Sequence, residues 1–298
     1  MSRRSAGIAL AFVTACVSGV SIWLNGRAVG HFSDATVYTT AKNAVAGVLL
    51  LVVLLAVGPR GRALSSVARR GRLSLLAVAV IGGSVPFILF FEGLQQSHAT
   101  QAAFIQKTLV IWVALLAVPL LKERFGWPHA LAIGFLVGGQ AWLAGKLGTV
   151  AFGKGEAMIL GATLLWSVEI VFVKHLLRDI PSGVVAAARM ALGTVLLLGW
   201  LAVTGKLGDL AGLSALQWRW ALLTGLLLTA YVATWFAALA RAQAVDVTAV
   251  LVFGALVTAV LSGVVDGAAI GVGGTVLVAA GSGLIAWTAL RPRREAVA

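Results

Sequence analysis

The stretch Ala41-Lys42-Asn43-Ala44-Val45-Ala46-Gly47-Val48-Leu49-Leu50-Leu51 lies without gaps over Ala188-Arg189-Met190-Ala191-Leu192-Gly193-Thr194-Val195-Leu196-Leu197-Leu198. Six of the eleven residues are identical, Lys42 meets Arg189, and the offset is 147 (188 minus 41). At the same offset Arg27 meets Lys174. Within two residues of it, Phe90-Phe91-Glu92-Gly93-Leu94 faces Trp235-Phe236-Ala237-Ala238-Leu239, and Gly138 with Ala141-Trp142 faces Gly283 with Ala286-Trp287. Leucine-rich helices match one another easily by chance. A nearly constant offset over four pairs of segments is harder to obtain, so the chain reads as two related halves, 1–150 and 151–298.

Composition says what solvent those halves use. Of the 298 residues 60% are hydrophobic and 11% charged, and the mean hydropathy is +1.00. A soluble domain is nearer half apolar and a quarter charged. These values argue against a water-soluble enzyme, a disordered chain and a nucleic-acid module, and point to a lipid bilayer as partner. Ten apolar segments follow, roughly 6–24, 34–57, 73–94, 99–121, 128–146, 155–177, 182–203, 218–240, 244–264 and 268–290. Each has about the 20 residues that carry a helix across a bilayer. Helices are required because a lone strand leaves its backbone unpaired in lipid. The expected fold is therefore an all-α polytopic membrane protein with ten transmembrane helices in a 5+5 inverted repeat. Five is odd, so the second half enters the membrane from the opposite side. Inverted repeats give two related shapes around a midplane site, which is the architecture of a transporter. A duplication kept for architecture alone is the competing explanation.

Charge placement gives the orientation. Lys+Arg is 23 against 10 Asp+Glu, a net of +13. With the N-terminus inside, the inner segments hold fifteen basic residues, from Arg3 and Arg4 through Arg60, Arg62, Arg69, Arg70 and Arg72 to Arg291, Arg293 and Arg294. The outer segments hold five: Arg27, Lys146, Lys154, Lys206 and Arg219. That bias predicts a plasma-membrane (inner-membrane) protein with both termini cytoplasmic, and accounts for most of the positive charge without nucleic acid. Ser2-Arg3-Arg4 before an apolar run also fits a signal peptide, but no small-x-small site ends the run, so it is read as a first helix.

Two further stretches carry a family resemblance. Ala99-Thr100-Gln101-Ala102-Ala103 leads to Pro119-Leu120-Leu121-Lys122-Glu123-Arg124, and Leu164-Leu165-Trp166-Ser167 runs to Lys174. With the repeat, they resemble the drug/metabolite transporter superfamily in its EamA-type ten-helix branch, over nearly the whole chain. The resemblance implies export of small metabolites or drugs, commonly amino acids; overall likeness, without a diagnostic motif, points to aromatic amino acids. The second half departs from the pattern at its acidic helix end, where only Asp266 is near.

Several residues are candidates for a substrate site. Lys107 sits about eight residues into the fourth span, roughly 12 Å deep at 1.5 Å per residue. A charge at that depth costs about 2.5–3.5 kcal/mol on insertion scales, so it should face a cavity or a partner. It either attracts a substrate carboxylate or pairs with Glu92. Gln101, Gln106 and Thr108 are placed to line the same cavity. Glu169, with Trp166 one turn before it, is either a proton-coupling or substrate-ammonium site or the partner of a buried base. Lys42 and Arg189 are either gate contacts or, as favoured here, structural ones. Trp112, Trp166 and Trp235 lie deep, and with Phe90, Phe104 and Tyr231 can wall an aromatic pocket. Taken singly, each is more simply a packing residue. Trp142, Trp218, Trp220 and Trp287 suit the membrane interfaces. Gly82-Gly83-Ser84-Val85-Pro86 predicts a bend or hinge in span three. Gly134, Gly138 and Gly139 in span five, with their counterparts in span ten, predict close helix packing. Gly134-x-x-x-Gly138 is a weak dimer signal, and a monomer suffices.

Enzyme signatures are missing. There is no Walker loop, the four His are scattered, and Cys16 in an apolar stretch is expected to be packed. No cofactor or metal is expected. The reading is an exporter of a small-molecule substrate, most simply an amino acid, by alternating access around a central cavity. The alternatives are a proton-coupled multidrug efflux pump using Glu169, and a non-transport scaffold or intramembrane enzyme.

Overall fold

A computed structural model describes residues 2–57, 69–97, 99–123, 125–143, 152–267 and 271–290. The basic residues Arg60, Arg62, Lys146, Arg291, Arg293 and Arg294 lie outside the described residues, as does the Gln101 side chain. The described residues are helical, with no strand among them. Eight helices are long and apolar enough to cross a membrane.

Spans one and two are single helices, Arg3–Ala28 and Ala35–Val57. Span three is Arg69–Val78, a π-helical turn Ala79–Ser84, and Val85–Gln95. Span four is Ala99–Lys107 and Leu109–Leu121; span five is Trp127–Leu143. Spans six, seven and eight are Lys154–Leu176, Ser182–Val203 and Ala215–Leu239. Span nine is Ala244–Leu251 and Gly254–Asp266, and span ten is Val272–Leu290. Spans five and ten are apolar but shorter than the uniform set of ten expected from hydropathy.

Packing follows the repeat. Span two packs on span seven and span five on span ten, each against its own counterpart. Span one packs on eight and nine, and span six on three and four, so exchanging the halves maps each pair onto another. Glycines set the closest crossings. A Cβ on Gly83 would meet the Arg189 carbonyl oxygen at 2.4 Å, and one on Gly193 would meet the Gly83 oxygen at 2.6 Å. Spans one and nine cross in the same way at Gly19 and Gly254. Of the span-five glycines only Gly139 packs, against Val278 and Gly274 of span ten. Gly134 and Gly138 face open space, contrary to expectation, because they lie on the opposite side of the helix. Cys16 is exposed rather than packed, on the outer face of span one with Val13. In a bilayer that face is still apolar, so a thiol is at ease there.

Three spans are interrupted. The bend expected at Gly82–Pro86 is a widened π turn, with the Val85 N–H donating to the Val80 carbonyl. Pro86 has no N–H for the Gly82 carbonyl, so the α ladder cannot close there. Spans four and nine break at Thr108 and at Val252–Phe253, 145 residues apart (253 minus 108). Tighter i to i−3 bonds replace the ladder in both: Thr108 to Ile105 and Phe253 to Val250. The Thr108 hydroxyl also takes the Ile105 carbonyl at 2.6 Å, a side chain competing with the helix. Both spans end on a left-handed residue, Lys122 (φ 54°) and Gly267 (φ 66°), again 145 apart (267 minus 122).

Candidate functional site

The site is built around the carbonyl that Pro86 frees. Gly82 O accepts from Trp166 Nε1 of span six at 3.1 Å and from Arg189 Nη2 of span seven at 2.9 Å. Arg189 also holds Glu169: Nε reaches Oε1 at 2.5 Å and Nη2 reaches Oε2 at 3.2 Å. Both residues are buried. One guanidinium thus ties spans three, six and seven. Gly82 is glycine for a steric reason: a Cβ there would lie 2.0 to 2.4 Å from the Glu169 carboxylate. By helix rise the pair lies roughly 22 Å from the Lys154 end of span six, inside the membrane.

Aromatic rings cover the cluster on one side. Trp166 packs edge-on to Phe87 at 5.5 Å and tilted to Phe90 at 5.6 Å; Phe90 is edge-on to Phe91. Arg189 lies over Phe87 at 5.7 Å and over Phe236 of span eight at 6.0 Å. Tyr231 and Trp235 stack one turn earlier on span eight, at 6.1 Å. The Tyr231 hydroxyl is near enough to feel the charges of both Arg189 and Glu169. The structure therefore brings together Trp166, Glu169, Phe90, Arg189, Gly83 and Pro86, with Tyr231 and Trp235 at the rim.

Lys107 stands apart, at the break in span four. It is half-buried and makes no hydrogen bond or ion pair with another described residue, so the pairing with Glu92 weighed from sequence is not formed. Thr108 beside it accepts from Trp112 Nε1 at 3.1 Å. Gln106 is half-buried. Ile105 and Ala102 of the same helix pack with Ile159, and Phe90 leans on that group, so the aromatic wall reaches the broken span. Lys42 lies over the Tyr38 and Phe91 rings at 4.9 and 5.0 Å and donates to Asn25 Oδ1 at 3.4 Å.

The two ends of the bundle are tied by polar side chains. At the end that carries the N-terminus, the Glu123 carboxylate accepts the backbone N–H groups of Ala244 (2.6 Å) and Val245 (3.0 Å), the first residues of span nine. This is anion capping of a helix N-terminus. Burial pushes the Glu123 carboxyl up, against those two bonds and the Lys174 charge. Asp246 takes Arg4 at 2.9 Å and His129 at 3.2 Å. Lys174 donates to the Leu239 and Ala242 carbonyls. A cavity of about 480 Å³ lies here, lined by Arg3, Lys122, Glu123, Lys174 and Arg178. At the far end Arg27 pairs with Asp266, which also accepts from Trp23. A cavity of about 430 Å³ lies beside them. Lys206 pairs with Asp34 at 2.6 Å. Burial raises the Asp34 pKa, but the Lys206, Thr36 and Val37 hydrogen bonds outweigh it and hold the carboxyl below 3.8.

Several partners were not found from sequence: Phe87, Phe91 and Phe236, the Gly82 carbonyl, Asn25 and Asp246. Pro86 carried one usable signal, since it necessarily orphans the carbonyl four residues before it. Asp246 lies 145 residues after Gln101, at the matching place in the second half (246 minus 101).

With the geometry in place, the chain can be compared with known proteins. The EamA-like transporter family matches it twice, over residues 5–145 and 153–287. A protein of Methanothermobacter thermautotrophicus named as an uncharacterized transporter is 24% identical over 158 residues, covering 51% of this chain and 46% of that protein. The match thus spans about half the length of that relative. A crystal structure of a protein 16% identical superposes with a TM-score of 0.80, over 95% of this chain and 98% of that chain. At that identity the likeness concerns the fold.

Proposed function

The chain belongs to the EamA-like transporter family, a multi-pass membrane transporter and not an enzyme, and on that premise we propose that it exports small amphipathic metabolites, amino acids with aromatic side chains among them. The observation that carries this reading is Lys107. It is an ammonium inside the membrane, uncompensated by any described residue, at a helix break beside an aromatic wall. Such a charge is expensive in a bilayer unless it meets water or a ligand. A substrate carboxylate at Lys107, with Gln106 and Gln101 nearby, leaves an apolar or aromatic body to lie against Phe90 and Trp166.

The mode of movement is alternating access between two inverted halves, 1–150 and 151–298, with both termini in the cytoplasm. The matching breaks in spans four and nine and the exchange symmetry of the helix pairs support this. Glu123 and Asp246 then tie the cytoplasmic end, and must release span nine for that end to open. A proton-coupled drug pump needs Glu169 accessible. Here Glu169 is held by Arg189 and shielded by rings, which favours the amino-acid reading over the pump.

The test is flux into proteoliposomes containing only this protein. Labelled phenylalanine is followed with competing amino acids, a cationic dye and an imposed pH gradient. Phenylalanine movement suppressed by amino acids, and lost in Lys107→Met, is the expected result. Dye movement that needs the gradient, without phenylalanine movement, refutes it.

A further inference from the structure

The two halves treat their repeat-related cations differently. In the second half Arg189 has the Phe236 ring on one side and the Glu169 carboxylate on the other. In the first half Lys42 occupies the equivalent place, over Phe91, which is the counterpart of Phe236 (236 minus 91 is 145). No carboxylate meets Lys42 among the described residues. The counterpart of Glu169 is Ile22 (169 minus 147), apolar and on the surface. What span one offers instead is Asn25, a neutral amide 3.4 Å from the ammonium and already accepting from the Tyr38 hydroxyl. Yet Lys42 is only 5% exposed. Thr39 and Asn43, within about 100° of Lys42 around the same helix, add a second anomaly. The Thr39 hydroxyl and both polar atoms of the Asn43 side chain are buried with no partner. Buried polar groups and charges persist unpaired only when something else satisfies them.

We propose that Lys42 is a carboxylate-binding site, at which the transported molecule brings the counter-charge that Glu169 supplies to Arg189. The carboxylate sits on the Lys42 ammonium, with the Asn43 amide and Thr39 hydroxyl available as donors. An aromatic or bulky apolar body then lies along Phe91 and Phe90. The site takes monocarboxylates of that shape and discriminates against their amides. It deepens the amino-acid reading above and rests on it for the identity of the cargo.

Binding of 3-phenylpropionate and of 3-phenylpropanamide to the purified full-length protein in neutral detergent, measured by titration calorimetry, tests it. The wild type should bind the carboxylate at least tenfold more tightly than the amide. In Asn25→Asp, a fixed carboxylate occupies Lys42 without change of shape, and the preference should fall to within twofold; Lys42→Met should do the same. Asn25→Asp keeps the test decisive if Lys42→Met fails to fold. Equal binding of the two compounds to the wild type, no binding of either, or a preference that survives in folded Asn25→Asp overturns the proposal. Phenylalanine flux separates the two readings. Wild-type flux without a carboxylate preference removes the site and leaves the exporter; a Lys42-dependent preference without flux removes the amino-acid cargo and leaves the site.

Discussion

Replacing Glu169 by Ala should be among the most damaging single changes in the protein. The Arg189–Glu169 contact is two-pronged, 2.5 and 3.2 Å, with side-chain exposures of 10% and 5%. Removing the carboxylate leaves a buried guanidinium with only the Gly82 carbonyl at 2.9 Å and the Met190 sulfur at 3.5 Å. Breaking one side of a buried pair costs about 3–5 kcal/mol, because an uncompensated charge stays behind. Removing both charges should cost much less than the sum, since no charge is then stranded. Glu169→Ala, Arg189→Met and the double variant therefore form a cycle with a coupling of about 2–3 kcal/mol. The assay is reversible unfolding in mixed micelles by titrated SDS, followed by tryptophan fluorescence. Glu169→Gln, which keeps the shape and loses the charge, should lie between wild type and Glu169→Ala. Additive single costs, or a loss below about 1 kcal/mol for Glu169→Ala, would refute the argument, because the pair would then be solvated or dispensable.

Three further outcomes follow from the same geometry. Gly82→Ala places a methyl group 2.0 to 2.4 Å from the Glu169 carboxylate, so it should break the ion pair and cost roughly what Glu169→Ala costs; a near-neutral unfolding midpoint would contradict the crossing described. Glu123→Ala uncaps span nine and should cost about 1–2 kcal/mol; it should also raise thiol labelling of a cysteine placed at Ala242, and unchanged labelling would mean that the carboxylate does not hold that end shut. The Asp34–Lys206 pair sets limits on pH. The Asp34 pKa is lowered, so its contribution is full above 3.8 and is lost as pH falls through the folded value; the Lys206 pKa is raised, chiefly by Asp34, so its contribution is full below 10.5 and is lost as pH rises through the folded value. Asp34→Asn should flatten both limbs of the stability–pH curve, and a curve of unchanged shape would show the pair to be inert.

Much of the architecture was legible in the residues because lipid leaves few choices. An apolar run of this length becomes a helix, and 182–203 was bounded to the residue. The repeat was legible because Lys42 and Arg189 sit in otherwise matching leucine-rich runs. The bend in span three was legible from Gly82 and Pro86, whose local effects need no tertiary knowledge. The breaks in spans four and nine were not. Nothing at Lys107–Thr108 resembles Gly or Pro, and the competing hydroxyl of Thr108 is a weak signal by itself. Nor was the choice of partner for Glu169 legible. Lys107, Lys42 and Arg189 were all buried bases, and only the crossing of spans six and seven selects Arg189. Cys16 and Gly134 were misjudged for one reason: in a bilayer the outer face of a helix is as apolar as its inner face, so hydropathy cannot separate them.

The π turn in span three has a consequence for how this chain tolerates insertions and deletions. A widened turn holds one residue more than an α turn, so the segment after it is rotated by about 100° relative to a continuous helix. Phe87, Phe90 and Phe91 owe their inward phase to that extra residue. Loss of one residue anywhere in Ala79–Ser84 would leave an intact, equally apolar helix with its register advanced by one. Glu92 would then point where Phe91 now meets Lys42, and an acid in that place would give the first half the internal counter-ion that it now lacks. A single codon deletion, silent to any hydropathy profile, would thus change the charge that the cavity offers its cargo.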